Sequence, residues 1–313
     1  MKVSLISTVK DAYPHVGRFL ASVHGQTKKP DEVIVVDGGS TDGTLEVLRE
    51  ADGITLLEEP EANIARGRNI GVAAATHDVI AVADADCTLA PEWLERLVEP
   101  IDADADIAMG FYRPIVRGFF EGCVAAATVP EPDEIAEDRF MPSSRSLAFR
   151  REAFNAAGGY PEWLDVGEDM YLNHRWREGG MRMRLVPDAI AYWPMRSDPA
   201  GVWRQYFGYA KGDALGGMYP ERHAIRFSVY AVAISALSLL PRRRWPSAVT
   251  AAGALWYASR RLRRAMHLLP DPIDRAKAVA VVPVLLGFID VAKMAGYLSG
   301  LVERVYPPPA KSS

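Results

Sequence analysis

Cysteine is scarce in this chain, with only Cys87 and Cys123 among 313 residues. Two cysteines cannot build a disulfide framework, and they lack the spacing of a metal site, which favours a reducing compartment. The first residues, MKVSLISTVKDAY, lack the apolar core and the cleavage site of a signal peptide. We therefore expect the N-terminal part of the chain to stay in the cytoplasm.

Two binding motifs are also missing. The glycines of VVDGGSTDGT (35–44) do not form Gly-x-Gly-x-x-Gly, which disfavours a dinucleotide-binding dehydrogenase. The basic residues form no nucleic-acid-binding motif, so we expect no nucleic acid partner.

Long apolar runs are rare. A membrane-spanning helix needs roughly 20 apolar residues. Only the stretch 278–302 is long enough, whereas 227–241 and 245–259 are short enough to be tilted spans, halves of a hairpin or core helices. The sequence therefore predicts membrane association and leaves the number of spans open.

The formal charge of −4 is unevenly distributed. From Arg222 onward the chain has 14 Lys and Arg against 4 Asp and Glu, a balance of +10, which leaves −14 for residues 1–221. Arginine clusters beside the apolar stretches suit anionic lipid headgroups. We expect a first domain at 1–221, a membrane-associated helical region at 222–306 and a disordered tail at 307–313. A small soluble helical domain with a basic face is the alternative for the second region.

The first part of the chain alternates between strand and helix patterns. Strands are predicted at 2–7, 32–37, 54–59 and 78–84, and helices at 14–26, 44–51 and 63–76. This alternation is typical of an α/β fold with a mostly parallel sheet covered on both faces. Ligands of such sheets bind at the carboxyl ends of the strands.

Acidic residues follow two of these strands. Asp37 ends the second strand, and Asp84 and Asp86 end the run VIAVADADC (79–87). Carboxylates gathered at one sheet edge repel one another, and a divalent cation removes that conflict. Mg²⁺ or Mn²⁺ is the expected cofactor, because such cations take oxygen ligands from carboxylates and phosphates. Taken alone, Asp-x-Asp fits a solvated turn equally well.

Four motifs in order give a more specific indication. The motifs are VDGGSTDGT (36–44), ARGRNIGVAAATHDVIAVADAD (65–86), GEDMYLNHRWREGG (167–180) and PDAIAYWPMRSDPAGVWRQYFGYAKGDA (187–214). Together, over roughly residues 1–215, they resemble the inverting glycosyltransferases of family 2, which have the GT-A fold. The hydrophobic C-terminal part is similar to membrane-bound members that make exopolysaccharide or lipid-linked glycans.

The resemblance implies a role for each matching residue. Asp169 is expected to be the catalytic base, with Glu168 beside it, and Asp86 the metal ligand. On the acceptor side, the residue types suggest Ser143, Ser144, Arg145 and Trp193. The residues expected at the donor are Thr8, Asp11, Asp37, Arg68 and Asp84.

The resemblance thus implies an enzyme at the cell membrane with a cytoplasmic catalytic domain at 1–221. It would move a sugar from a nucleotide-diphospho-sugar to a membrane-associated, lipid-linked glycan. Because the Gln-x-x-Arg-Trp motif of processive synthases is absent, single-sugar addition is favoured. Two alternatives remain open: a sugar nucleotidyltransferase, and a catalytically inactive, membrane-tethered sugar-binding protein.

Overall fold

The computed structural model describes residues 1–239 and 245–306. The chain divides into two compact units: Met1–Ile115 with Pro132–Pro194 form unit 1, and Val116–Glu131 with the chain from Met195 onward form unit 2. The domain boundary expected at residue 221 falls inside unit 2. The tail predicted to be disordered, 307–313, and the arginines at 242–244 lie outside the described residues.

Unit 1 alternates strands and helices, as the sequence predicts, up to its fourth strand. The predicted segments are confirmed, with ends that differ by at most two residues. The strands are β1 (Val3–Val9), β2 (Glu32–Asp37), β3 (Thr55–Glu58), β4 (Val79–Val82), β5 (Thr88–Leu89), β6 (Ile107–Ile115), β7 (Leu147–Arg150) and β8 (Met183–Pro194). The helices are α1 (His15–His24), α2 (Thr44–Arg49), α3 (Ile64–Ala74), α4 (Trp93–Ala103), α6 (Arg151–Ala157) and α7 (Glu168–Glu178).

The α/β class is confirmed, and the eight-stranded sheet is mixed. Its order is β3-β2-β1-β4-β7-β6-β8-β5. The first four strands are mutually parallel, because each returns through a helix, and β6 is parallel to β8. β7 is antiparallel to both of its neighbours, and β5 is antiparallel to β8, so the sheet is less parallel than expected.

The direction of β7 determines what lies at the carboxyl edge of β4. β4 ends at Val82, two residues before the predicted end, so that Asp84 and Asp86 belong to the turn that follows. Because β7 runs antiparallel and pairs Leu147 with Val82, the residues just before β7 reach the same edge. Residues 143–146 therefore lie beside the Asp84 turn, although they are far away in sequence.

Unit 2 consists of helices. They are α5 (Phe119–Thr128), α8 (Pro199–Leu215), α9 (Pro220–Ser238), α10 (Trp245–Leu268) and α11 (Pro272–Val305). α8 and α11 approach closely at Gly296 and Gly300, where an added Cβ would overlap the backbone of Phe207 and Lys211. A salt bridge of 2.6 Å between Lys211 and Glu303 joins the same two helices.

The hydrophobic C-terminal helices predicted from the sequence are present. By length and composition, α11 is the one helix of the described residues that could cross a membrane, with a mean hydropathy of 2.0 over its most apolar 18 residues. One third of that window is buried inside the structure. Large apolar side chains are exposed on three helices, among them Val229, Val232 and Ile234 on α9, Val249, Leu255 and Trp256 on α10, and Val284, Val291 and Val302 on α11.

Candidate active site

A buried arginine lies at the centre of the site. α3 begins after Asn63, whose side chain accepts a hydrogen bond from the amide of Arg66. Its helical spacing puts Arg68 on the buried face with Ala65 and Val72. Only 2 % of the Arg68 side chain is exposed.

The Arg68 guanidinium joins two acids from distant parts of the sequence. Its Nη2 donates to Asp84 Oδ1 at 2.7 Å, and its Nη1 donates to Glu168 Oε1. It also lies 5.3 Å from the centre of the Tyr160 ring. A buried charge is tolerated when it is paired and hydrogen-bonded in this way. Arg68 therefore holds the turn after β4 against the start of α7.

Burial and neighbouring charges shift the pKa values of this pair. Burial alone would lower the pKa of Arg68, but the charges of Asp84 and Glu168 outweigh it and the net change is upward. Burial raises the pKa of Glu168 to about 7; the charge of Asp169 acts in the same direction, and Arg68 opposes it. Arg68 is therefore charged at neutral pH.

Asp169 is the second residue of α7. The residue before this helix, Gly167, has a left-handed φ of 90°. Asp169 is half-buried; its Oδ1 accepts from the Met170 amide at 2.8 Å, and its Oδ2 lies 3.4 Å from the Ser144 amide. The positive end of the helix dipole favours a carboxylate here. The side chain is thus partly accessible, and its carboxylate lies close to the segment 143–146.

Arg145 links the same turn to an aromatic wall. Its Nε lies 3.6 Å from Asp84 Oδ2, and its Nη1 donates to Ser143 Oγ at 2.8 Å. The guanidinium stacks over the Trp193 ring at 4.0 Å and over the Tyr112 ring at 5.6 Å. Both oxygens of Asp84 therefore face arginines, which makes Asp84 an unsuitable metal ligand.

Asp86 is the carboxylate suited to a cation. It is half-buried, and its Oδ2 accepts from the indole nitrogen of Trp193 at 3.0 Å. Among the residues that the structure describes, no group of three or more His, Cys, Asp or Glu could hold a metal ion. This donor set fits Mg²⁺ or Mn²⁺ if phosphate oxygens complete the coordination, because such ions are commonly held by one or two carboxylates plus substrate phosphates.

A second group of predicted residues lies at the ends of β1 and β2. Asp37 is 1 % exposed, and its Oδ2 accepts from the amides of Gly39 and Ser40 at 2.9 and 3.0 Å. Its Oδ1 is buried and has no hydrogen-bond partner among the described residues, and the same holds for Thr8 Oγ1. Buried polar atoms are normally hydrogen-bonded, so each of these two oxygens is suited to accept a hydrogen bond from a ligand.

Asp11 closes the neighbouring loop. Its Oδ1 accepts from the Thr41 amide at 2.8 Å, and its own amide donates to Ser40 Oγ at 3.0 Å. Asp11 adopts a left-handed φ of 50°. The two loops that follow β1 and β2 are thus tied to each other.

The structure brings most of the sequence-predicted residues into one network. Ser144, suggested for the acceptor side, is fully buried, and its Oγ lies 2.9 Å from the Tyr160 hydroxyl. Trp193 was expected on the acceptor side, and it lies against Asp86 and Arg145 with 4 % exposure. Sequence reasoning missed Tyr160 and Tyr112. The Gly-Gly pair before Tyr160 marked a turn, but no pattern indicated that this tyrosine contacts Arg68.

The chain is similar to known glycosyltransferases. The family model described as glycosyl transferase family 2 matches residues 4–154. Glycosyltransferase AglE of Haloferax volcanii is 28% identical over 246 residues, which cover 74% of this chain and 79% of AglE. Succinoglycan biosynthesis protein ExoA of Rhizobium meliloti is 27% identical over 253 residues, covering 72% of this chain and 76% of ExoA.

A solved structure shows the same fold. The mannosyltransferase PcManGT from Pyrobaculum calidifontis, in complex with GDP-Man and Mn²⁺, superposes with a TM-score of 0.55. It is 23% identical, and the match covers 97% of this chain and 87% of that one. The fold is accordingly of the GT-A type. Residues 4–154 therefore match a glycosyl transferase family 2 domain, and with these relatives and this fold the chain is a glycosyltransferase.

Proposed function

We propose that the protein is an inverting, metal-dependent glycosyltransferase. It transfers one sugar from a nucleotide-diphospho-sugar to a lipid-linked glycan at the membrane, with its catalytic domain in the cytoplasm. The observation that carries this proposal is the Arg68 network, which holds the Asp84 turn and the Glu168–Asp169 helix start together. A donor-side acid and a candidate base are thereby kept at one edge of the sheet.

Asp169 is the group best suited to act as base. In inverting transfer an acceptor hydroxyl oxygen bonds to the anomeric carbon while the bond from that carbon to the diphosphate oxygen breaks. The hydroxyl proton passes to a carboxylate within hydrogen-bond reach. Asp169 is partly accessible, whereas Glu168 is buried and bound to Arg68. Glu168 therefore acts as a positioning residue.

The nucleotide-diphospho-sugar would be held by two groups of residues at the carboxyl edge of the sheet, one after β1 and β2 and one in the turn after β4. Asp37 Oδ1 and Thr8 Oγ1, which are buried and have no hydrogen-bond partner among the described residues, would each accept a hydrogen bond from the nucleoside. Asp86 would hold the cation, which when bound offsets charge on the diphosphate. Asp84 is fixed by Arg68 and Arg145 and is suited to accept from a sugar hydroxyl. The structural neighbour that binds GDP-Man with Mn²⁺ supports this choice of donor and metal.

The acceptor class is supported by the C-terminal helices and by the relatives. The region from Arg222 onward combines a charge of +10 with exposed apolar side chains on α9, α10 and α11. Basic residues near an anionic leaflet contribute about 1 kcal/mol each. ExoA is named as a protein of succinoglycan biosynthesis, which favours a polysaccharide pathway.

The test uses the full chain, purified in mild detergent. It is incubated with a panel of nucleotide sugars, Mn²⁺ or Mg²⁺, and a lipid extract as acceptor, and products are identified by mass spectrometry and NMR. We expect one added sugar, an inverted anomeric configuration, release of nucleoside diphosphate and loss of turnover with a chelator. Asp86→Asn should abolish turnover, whereas Asp52→Asn, at an exposed turn after α2, should not.

Other outcomes point to the alternatives. Release of pyrophosphate would support a nucleotidyltransferase, and donor binding without turnover in every combination would support a sugar-binding protein. Full activity of Asp86→Asn would remove the metal assignment. Retention of the anomeric configuration would remove the inverting mechanism.

A further inference from the structure

Unit 2 contains a cavity that the transferase reaction does not use. Its volume is about 300 Å³, at the lower end of the range for ligand pockets. α10 contributes Arg261 and Arg264 to its wall, and α11 contributes Leu286, Ile289 and Lys293. The wall therefore combines positive charge with apolar side chains.

Arg261 and Lys293 carry positive charge without an ion-pair partner among the described residues. Arg261 Nη1 donates to the Tyr257 carbonyl at 2.9 Å, and its guanidinium lies 4.3 Å from the centre of the Tyr257 ring. The Nε of Arg261 is buried and has no hydrogen-bond partner among the described residues. The Lys293 ammonium lies 5.0 Å from the centre of the Tyr206 ring. Aromatic faces hold both cations, and Arg261 also donates to a carbonyl, but these contacts supply no negative charge in direct contact with either group.

The carboxylate in the wall is already engaged. Asp290 Oδ1 accepts from Arg226 Nε at 2.9 Å, and its Oδ2 accepts from the Tyr230 hydroxyl at 3.3 Å. Asp290 thus forms its ion pair with Arg226, and among the described residues it forms none with Arg261 or Lys293. An anion in the cavity would supply the missing counter-charge.

The apolar part of the wall specifies the anion further. Leu286 and Ile289 belong to α11, the helix with the composition of a membrane span. A small hydrated anion gains nothing from such side chains, whereas a phosphate attached to a hydrocarbon chain gains from both parts of the wall.

We infer that this cavity binds the phosphate headgroup of a membrane lipid, with Arg261 and Lys293 as its cationic ligands and Leu286 and Ile289 against the first carbons of the chain. The lipid part of this inference rests on the membrane association proposed above. The anion part rests only on the charges in the wall.

The test measures binding of farnesyl phosphate to the purified full chain in a non-ionic detergent by isothermal titration calorimetry. Farnesol and sodium phosphate are the parallel ligands. We expect saturable binding of farnesyl phosphate, with farnesol and inorganic phosphate each at least about tenfold weaker, because each lacks one of the two recognised parts.

Two variants locate the site, and one neighbouring variant serves as control. Arg261→Gln and Lys293→Met should each weaken farnesyl phosphate binding about tenfold, the usual scale for losing one charge-assisted contact. Arg263→Gln, on the exposed face of the same helix, should bind as the unaltered chain does. Mn²⁺-dependent nucleotide binding by unit 1 should be unchanged in all three variants, which shows that they are folded.

Three results would overturn the inference. Unchanged affinity in both Arg261→Gln and Lys293→Met would remove the cavity as the site. If farnesol bound as tightly as farnesyl phosphate, the cavity would not recognise the phosphate. If inorganic phosphate bound as tightly as farnesyl phosphate, the cavity would not recognise the lipid chain. Failure of the transferase proposal would be visible separately, because it would appear as lost nucleotide binding or turnover while farnesyl phosphate still binds.

Discussion

Arg68→Met tests whether the buried network holds the site together. Arg68 is fully buried between Asp84 and Glu168. Removing one partner of a buried ion pair costs about 3–5 kcal/mol, because the remaining charge loses its compensation. Asp84 would keep Arg145 at 3.6 Å, so Glu168 is the acid left without a cation. Since domains are typically stable by about 5–15 kcal/mol, this loss would be a large fraction of the free energy of unfolding.

The stability lost in Arg68→Met should depend on pH, and the pKa of Glu168 determines whether that loss grows or shrinks as the pH rises. That pKa is already raised from 4.5 to about 7 by burial, and without Arg68 it rises further. A carboxyl group whose pKa is raised on folding binds more protons in the folded state, so stability falls as pH rises through the window between the two pKa values. The deficit of Arg68→Met should therefore be small at pH 5 and largest at pH 8.

The assay is urea unfolding followed by tryptophan fluorescence at pH 5 and pH 8, in constant detergent. Arg66→Met is the matched control, since Arg66 lies on the exposed face of the same helix and should change stability by less than about 0.5 kcal/mol. Adding Glu168→Gln to Arg68→Met should recover about 1–3 kcal/mol at pH 8, because no charge is then left buried. Equal stability of the Arg66 and Arg68 variants at pH 8, or a deficit independent of pH, would refute the reasoning.

Three further predictions concern the reaction. Asp169→Asn should lower kcat by about 10²–10⁴-fold with nearly unchanged donor binding, and Glu168→Gln should be milder; the reverse order in steady-state kinetics would make Glu168 the base. Asp37→Asn should weaken nucleotide binding in a titration about tenfold or more, because the position of the unpaired Oδ1 is then taken by an NH₂ group or by an uncharged carbonyl oxygen. Unchanged affinity would show that the nucleoside does not bind at Asp37. Mn²⁺ and nucleoside diphosphate should each raise the affinity for the other by the same factor, and this coupling should disappear in Asp86→Asn.

The alternation of strands and helices could be predicted up to β4 because those strands are parallel and each is followed by its own helix. The prediction became poor where the chain leaves this pattern. β7 enters the sheet antiparallel between β4 and β6, and this order is set by packing between distant segments. The burial of Ser144 beside the edge of β4 follows from this order and could not be predicted from the local sequence.

The residue types of the candidate site could be predicted from the sequence, whereas most of the contacts between them could not. Asp86 and Asp169 followed from motifs that are local in sequence. The pairing of Arg68 with Glu168 joins positions 100 residues apart, and no local pattern encodes it. The contact of Arg145 with Trp193 is equally non-local, because it depends on β8 reaching the turn after β4. Sequence spacing therefore indicates which groups exist, whereas the sheet order decides which of them meet.

The charges in this network also explain why a divalent cation suits it. Asp84 and Glu168 are matched by Arg68 and Arg145, so the positive charges of the network are used in holding the loops in place. Asp86 and Asp169 add negative charge at the same edge, and a nucleoside diphosphate would bring more. Repulsion between these groups disfavours nucleotide binding unless a cation accompanies it. On the proposed function, the arginines fix the geometry of the edge, and a divalent cation would make that edge compatible with an anionic donor.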